Sequence, residues 1–281
     1  REGPFKGASK MDFAMKEYFT AIVEEYKSIT GITHFKSVGS PHMDDKSIPD
    51  EDWEVKGELG DKPVSLLMGI FYGARISRWD LVQATSYLTR FLNDWKKAHD
   101  KQLYRLMCYI AGTLEYSLRG YVGDVAQDLK LRMWVDADHG GDSACVKATS
   151  GVFIALVGPK TFFPLACLSK KQTSAANGTT EAELVAMSLG LRHEAIPLKM
   201  LWEKLLGREI ELEVMEDNEG TEGVIEKGYS PALRHLPKTQ KCCVDFLHEV
   251  IKVQQVCKTS IIPTKEQIAD ILTKAVEVAG W

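Results

Sequence analysis

Asp136 and Asp138 stand two residues apart in the stretch LRMWVDADHGGD, residues 131–142. Met133 and Val135 are apolar at the same spacing of two, which marks a strand, and Gly140-Gly141 is where it would break. Side chains two apart on a strand share a face, so both carboxylates point the same way at the strand end. Two acids so placed repel unless a cation sits between them, and a hard, oxygen-preferring ion such as Mg²⁺ is the usual answer. Taken alone, the pair reads first as a solvated turn, since Asp and Gly are ordinary turn residues. Three later acids, Glu183, Asp217 and Asp270, change that reading.

The elements that must position these acids follow from hydrophobic period. Leu131 to Asp136, Val152 to Leu156 and Thr161 to Leu168 form three strands joined by short turns, an antiparallel meander. A long helix is expected from about Thr179 to Leu206, with Glu181 and Glu183 near its N-terminus and Pro197 kinking or splitting it. Then come a strand (Ile210 to Met215), a short helix after Asp217, a helix from about Thr239 to Val253, a strand (Val256 to Ile262) and a last helix from Pro263-Thr264 through Lys274. Upstream, residues 11–30 form an amphipathic helix with Gly31 at its C-cap, and Val64 to Gly120 reads as three helices with turns near Ser77 and Asn93. Between them, the acidic run from Asp44 to Glu58 reads as an exposed connection. The expected organisation is 1–60 (helix plus acidic connection), 61–130 (helical segment) and 131–281 (α/β domain).

Composition narrows the class. Hydrophobic content of 44% with 26% charged residues is that of a soluble globular chain of 281 residues. No apolar run approaches membrane-spanning length and no signal-peptide core is visible, so an intracellular location is expected, without membrane partners. The six cysteines lack CxxC spacing, which argues against a zinc ribbon or a disulfide framework. His193-Glu194 and His248-Glu249 begin like HExxH but lack the second histidine. Net charge is −4, and only residues 61–135 are basic, with 11 Lys/Arg against 7 Asp/Glu; there Lys96, Lys97 and Lys101 could contact a nucleic-acid backbone. His42-Met43-Asp44-Asp45 looks like the paired aspartates of a polymerase hairpin, but Pro41 precedes it and no alternating strand flanks it, so it reads as loop.

Six short motifs, in order, carry a resemblance: WVDADHGGD (134–142), TSGVF (149–153), LSKKQT (168–173), TTEAELVAM (179–187), EDNEG (216–220) and PTKEQIADILTK (263–274). Together they resemble the ribonuclease H domain of copia-type retrotransposon polyproteins. SRWDLVQATSYLTRF (77–91) and YIAGTLEYSL (109–118) are similar to that family's thumb and connection segment, which joins polymerase to nuclease. The resemblance implies a ribonuclease H-like mixed five-stranded sheet flanked by helices, preceded by a mainly helical thumb and connection. It also implies four metal-holding, catalytic carboxylates: Asp136, Glu183, Asp217 and Asp270. Glu181 competes with Glu183 for the helix position, but the two lie about 200° apart around a helix and cannot face one site. Glu183 matches the family's ligand, and Glu181 suits the helix dipole.

Four clustered acids would repel at neutral pH, and two Mg²⁺ or Mn²⁺ ions about 4 Å apart would neutralise them and promote in-line hydrolysis of a phosphodiester. The implied substrate is the RNA strand of an RNA/DNA hybrid, leaving 5′-phosphate and 3′-hydroxyl ends, with recognition through 2′-hydroxyls and groove shape. Thr149, Ser150, Lys170, Lys171 and Gln172 are the candidate backbone contacts in this domain. The implied partner is the polymerase part of the parent polyprotein, in a cytoplasmic particle or the nucleus; the polymerase palm is missing, so this chain alone is not expected to polymerise DNA. Departures stand at His139, usually aromatic, at Gly178-Thr179, usually a serine pair, at Gln240-Lys241-Cys242, usually Lys-His-Ile, and at Ile261-Ile262, where a histidine is common. They motivate a second reading, a degenerate or co-opted, non-catalytic nucleic-acid-binding or scaffold module.

Overall fold

A computed structural model of the chain describes residues 5–60, 62–138 and 146–274. The Gly140-Gly141 break, His139 and Asp142 lie outside the described residues. In chain order the elements are β1 (Ser9–Phe13), α1 (Lys16–Thr30), α2 (Asp50–Glu54), α3 (Pro63–Ser77), α4 (Val82–Thr89), α5 (Lys97–Gly112), β2 (Leu118–Val122), β3 (Lys130–Asp138), β4 (Thr149–Gly158) and β5 (Thr161–Lys171). They continue with α6 (Thr179–Gly190), α7 (Ile196–Leu206), β6 (Leu212–Glu216), α8 (Glu219–Lys227), α9 (Leu236–Thr239), α10 (Val244–His248), β7 (Lys258–Ile261) and α11 (Asp270–Thr273). The chain divides into two compact units, one holding Asp12–Leu118 and the other Arg119–Lys274 with the N-terminal residues through Met11.

In the helical unit, α1 buries Phe19, Ile22, Val23 and Tyr26, the stripe its 3.6-residue period requires, and ends at Gly31 in the left-handed conformation (φ 72°). The acidic run 44–58 is not simply an exposed connection. Ile48 and Asp52 are buried, and Asp52 pairs with Lys97 (3.1 Å) and Lys101 of α5. Charge that reads as solvated is thus used in packing, because a buried carboxylate needs cationic partners and α5 presents two of them one turn apart. Asp44 and Asp45 stay outside any strand: Asp44 caps a 3₁₀ turn at Asp45–Ser47, and Asp45 accepts hydrogen bonds from Tyr87 (2.9 Å) and Gln102 (2.7 Å).

The other unit is α/β. Its mixed sheet has seven strands in the order β1-β2-β5-β4-β3-β6-β7, two more than the five expected, the additional pair lying beyond β5. Leu118–Val122 reads as the end of a helical region because Gly120 and the loop after it leave no clean alternation; pairing to β5 makes it a strand (Tyr121 opposite Phe162). The meander β3-β4-β5 is antiparallel, whereas β6 and β7 run parallel to β3. Along β3, Leu131, Met133, Val135 and Ala137 enter a core with Leu184, Met187 and Leu191, while Trp134 points to the opposite face and meets Phe153 edge-on at 5.8 Å.

The long helix after β5 is split just before Pro197 rather than kinked at it. Residues Leu191–Ala195 form a π-helical turn between α6 and α7, so the proline sits at the start of a new α segment where its missing N–H costs least. Two other expected helices are broken. Lys241 adopts a positive φ (53°) between α9 and α10, and Gln267, extended at the end of a 3₁₀ turn, donates from Nε2 to the Val135 carbonyl (2.9 Å) and leaves α11 only four residues.

Candidate metal centre

Each acid reaches the site from a different element. Asp136 lies near the C-terminal end of β3, opposite Gly151 of β4. Glu183 is in the second turn of α6, Asp217 follows the last residue of β6, and Asp270 opens α11. Carboxylate oxygens of Asp136, Glu183 and Asp217 lie within 4.8 Å of one another. Asp136 and Glu183 are buried, while Asp217 is half-exposed and gives the cluster its opening to solvent. Asp270 stands beside this trio, joined to Asp136 through Lys274, whose Nζ is 2.6 Å from Asp270 Oδ1 and 3.3 Å from Asp136 Oδ1.

The approach of α11 depends on a missing side chain. A Cβ on Gly151 would stand 2.6 Å from Thr273 Cγ2 and 3.0 Å from the Ala269 carbonyl, so only glycine lets α11 lie on β4. Thr273 then donates its hydroxyl hydrogen bond to Asp136 Oδ2, and Ser169 donates to the Leu272 carbonyl at 2.6 Å. Gly151→Ala is expected to destabilise the protein by about 1–3 kcal/mol through overpacking and to move Thr273 away from Asp136. Urea denaturation of parent and variant measures the first effect; an unchanged midpoint contradicts the contact.

Sequence reasoning missed three residues here. Glu216 is the last residue of β6, 1% exposed, and shares the inward face with Leu212 and Val214, so the strand's period of two could have found it. Thr273 and Lys274 lie three and four residues after Asp270, the spacing that puts side chains on one helix face.

The electrostatics are those of a site short of positive charge. Burial, reinforced by Glu216 and Asp136, pushes Glu183 up to about 10. Burial also pushes Glu216 up to about 8 and Asp136 to about 6, the latter opposed by the Thr273 hydrogen bond and the charge of Lys274. Partial burial alone would lower the pKa of Lys274, but Asp270 and Asp136 hold it above the usual lysine value. Glu183 Oε2 and Glu216 Oε2 are buried without a hydrogen-bond partner. Such orphaned oxygens cost free energy unless a proton or cation meets them. The donors are all carboxylate oxygens, the set that suits Mg²⁺ or Mn²⁺, so the residues present fit a hard divalent ion.

Glu181 lies elsewhere, as the helix geometry requires, and does more than complement a helix dipole. It is 3% exposed and accepts hydrogen bonds from the Asn177 backbone N–H (3.1 Å), Asn177 Nδ2 (3.0 Å) and His235 Nε2 (3.0 Å). Glu181→Ala strands those donors and is expected to cost about 1–3 kcal/mol. Thermal unfolding checks it, with Glu181→Gln expected to lose less.

Among the proposed nucleic-acid contacts, Ser150 and Gln172 are buried and occupied. Gln172 Nε2 donates to Ser150 Oγ (3.0 Å) and to the Ala182 carbonyl (2.9 Å), tying β4 and the chain after β5 to α6. Lys170 is exposed, and Thr149 and Lys171 are half-exposed at the same sheet end. In the helical unit, Lys97 and Lys101 are held by Asp52, and Lys96 pairs with Asp94 (2.9 Å). Among the described residues no helix is long and apolar enough to cross a membrane.

Fold and site together define a mixed α/β protein with a buried acidic cluster able to hold divalent metal. No family model matches the chain. It is similar over 277 residues, 95% of its length, to the retrovirus-related Pol polyprotein from transposon TNT 1-94 of Nicotiana tabacum, at 25% identity, and spans 19% of that polyprotein's length. It is also similar over 128 residues, 44% of its length, to secreted RxLR effector protein 161 of Plasmopara viticola, at 32% identity over 83% of that shorter protein. At that identity and coverage the chain belongs to one family with the Plasmopara protein, and the longer match supports a retrotransposon-polyprotein relationship.

Proposed function

We propose that Arg119–Lys274 form a metal-dependent ribonuclease H that cleaves the RNA strand of RNA/DNA hybrids, the C-terminal nuclease of a retrotransposon reverse transcriptase. The observation that carries this reading is the meeting of Asp136, Glu183 and Asp217, from three separate elements, within 4.8 Å. The sheet supports it as well: an antiparallel β3-β4-β5 meander with β6 and β7 added in parallel beyond β3, the mixed five-stranded core that such a nuclease requires. The similarity to a Pol polyprotein over 95% of the chain agrees with a retroelement origin.

In this reading Asp136, Glu183 and Asp217 would hold the cation, with Asp270 beside them. A divalent ion there supplies Lewis acidity, lowering the pKa of a water and stabilising negative charge on a phosphate. The half-exposed Asp217 leaves the centre reachable by a phosphodiester. Among the described residues, the side chains of Lys170 and Thr149, at the same end of the sheet as Asp136, are not taken up by hydrogen bonds of the kind that occupy Ser150 and Gln172, so they can meet the hybrid's backbone. The polymerase part of the parent polyprotein is the proposed partner, and cytoplasmic particles or the nucleus the proposed location.

A second reading, a non-catalytic nucleic-acid-binding or scaffold module, is favoured by the closed state of Asp136, whose two oxygens are held by Thr273 and Lys274. Incubation with a hybrid labelled on the RNA strand, in Mg²⁺ or Mn²⁺, separates the two. The nuclease gives shortened RNA with 5′-phosphate ends, whereas intact RNA under both ions leaves the scaffold reading.

A further inference from the structure

We infer that the Lys274 ammonium occupies the position of a second cation, so that this centre takes one divalent ion where two Mg²⁺ or Mn²⁺ would otherwise be expected. The inference rests on the proposed metal centre and deepens it. Two cation positions adjoin Asp136. One is bounded by Asp136, Glu183 and Asp217, with the orphaned oxygen of Glu183 buried beside it. The other, between Asp136 and Asp270, is filled by Lys274 Nζ at 3.3 and 2.6 Å from the two carboxylates.

The lysine is placed there by the backbone. The Lys274 N–H closes the α11 turn on the Asp270 carbonyl (2.8 Å), so its side chain rises over Asp270, four residues earlier on the same face. A helix turn that presents both the acid and its counter-ion needs no outside cation to neutralise that acid. A second divalent ion bridging Asp136 and Asp270 would have to lie within about 2–3 Å of the same oxygens. It would therefore stand against the ammonium, at a separation where two positive charges repel strongly in a partly buried site. Thr273 adds to the effect by holding Asp136 Oδ2, which leaves Oδ1 facing the lysine.

The test counts ions bound by the full 281-residue chain. Mn²⁺ is titrated near pH 7.5 and followed by isothermal calorimetry and by the paramagnetic resonance signal of free Mn²⁺. One ion per chain is expected for the parent and for Lys274→Arg, which keeps the charge. Two are expected for Lys274→Gln, and one again for the Lys274→Gln/Asp270→Asn double variant, which removes the vacated position. Two ions in the parent, or one in Lys274→Gln, overturns the inference while leaving the metal centre standing. Two ions in the double variant overturns it as well, since the added ion would not lie at Asp270. No ion in any variant removes the metal centre itself, and the inference falls with it.

Discussion

Asp136→Asn is expected to lower the proposed hybrid cleavage by at least about a thousand-fold while the chain stays folded. Asp136 is the acid common to both cation positions, facing Glu183 and Asp217 on one side and Lys274 on the other. Its amide replacement keeps shape and volume; Oδ1 still accepts from Lys274, and the amide N–H can donate to Thr273 Oγ1, whose own hydrogen has the Asp270 carbonyl at 3.2 Å, so the sheet and α11 keep their places. Neutralising it removes charge where Glu183 and Glu216 already suffer from an excess, so the metal-free variant should be no less stable than the parent. The pairing of large activity loss with retained stability is the informative result, read from initial rates on a labelled hybrid and from urea denaturation. Cleavage at parental rates would exclude Asp136 from the chemistry.

The second large effect is on stability. The Glu183 carboxyl titrates at about 10 in the folded chain against an ordinary 4.5, so between those values the folded state binds more protons than the unfolded one. Stability from this group is therefore complete below pH 4.5 and declines as pH rises. Glu216 adds a decline between 4.5 and about 8, and Asp136 one between 3.8 and about 6. Metal-free protein should thus be less stable at pH 8 than at pH 5. Bound Mg²⁺ or Mn²⁺ takes the place of the missing protons, so added divalent ion should raise the urea midpoint much more at pH 8 than at pH 5. Glu183→Gln should flatten the metal-free profile, gaining on the order of a few kcal/mol at pH 8, and should lose the stabilisation by metal. A gain in stability bought with loss of function is the behaviour of a site held under electrostatic strain. Equal midpoints at the two pH values, with and without metal, would contradict it.

Much of the fold was legible in the sequence wherever a single period ran uninterrupted. α1 with its glycine cap and α3 to α5 follow from 3.6-residue spacing, because one face of each is buried, while β4, buried on both faces from Ser150 to Val157, reads from its unbroken apolar run at the centre of the β3-β4-β5 meander. Breaks set by tertiary hydrogen bonds were not legible. Gln267 turns away from helix to reach the Val135 carbonyl, 132 residues distant, and nothing local announces that partner. The charge-rich run 44–58 misleads for the same reason: Asp52 is buried only because Lys97 and Lys101 come to it from far along the chain. At the site, Asp136, Glu183 and Asp217 could be named from motifs, whereas Glu216 and Lys274, although a period of two from Val214 and a helix turn from Asp270 place them on the right faces, show what they do only through their neighbours in space.

One small volume enclosed by the carboxylates of Asp136, Glu183 and Asp217 carries the proposed function. Crystals of the chain grown with Mn²⁺ and measured at a wavelength where manganese scatters anomalously test it directly. An anomalous peak about 2.0–2.5 Å from oxygens of Asp136, Glu183 and Asp217 is the expected result. A peak at any other group of residues, with that volume holding only water or the side chains themselves, would contradict it.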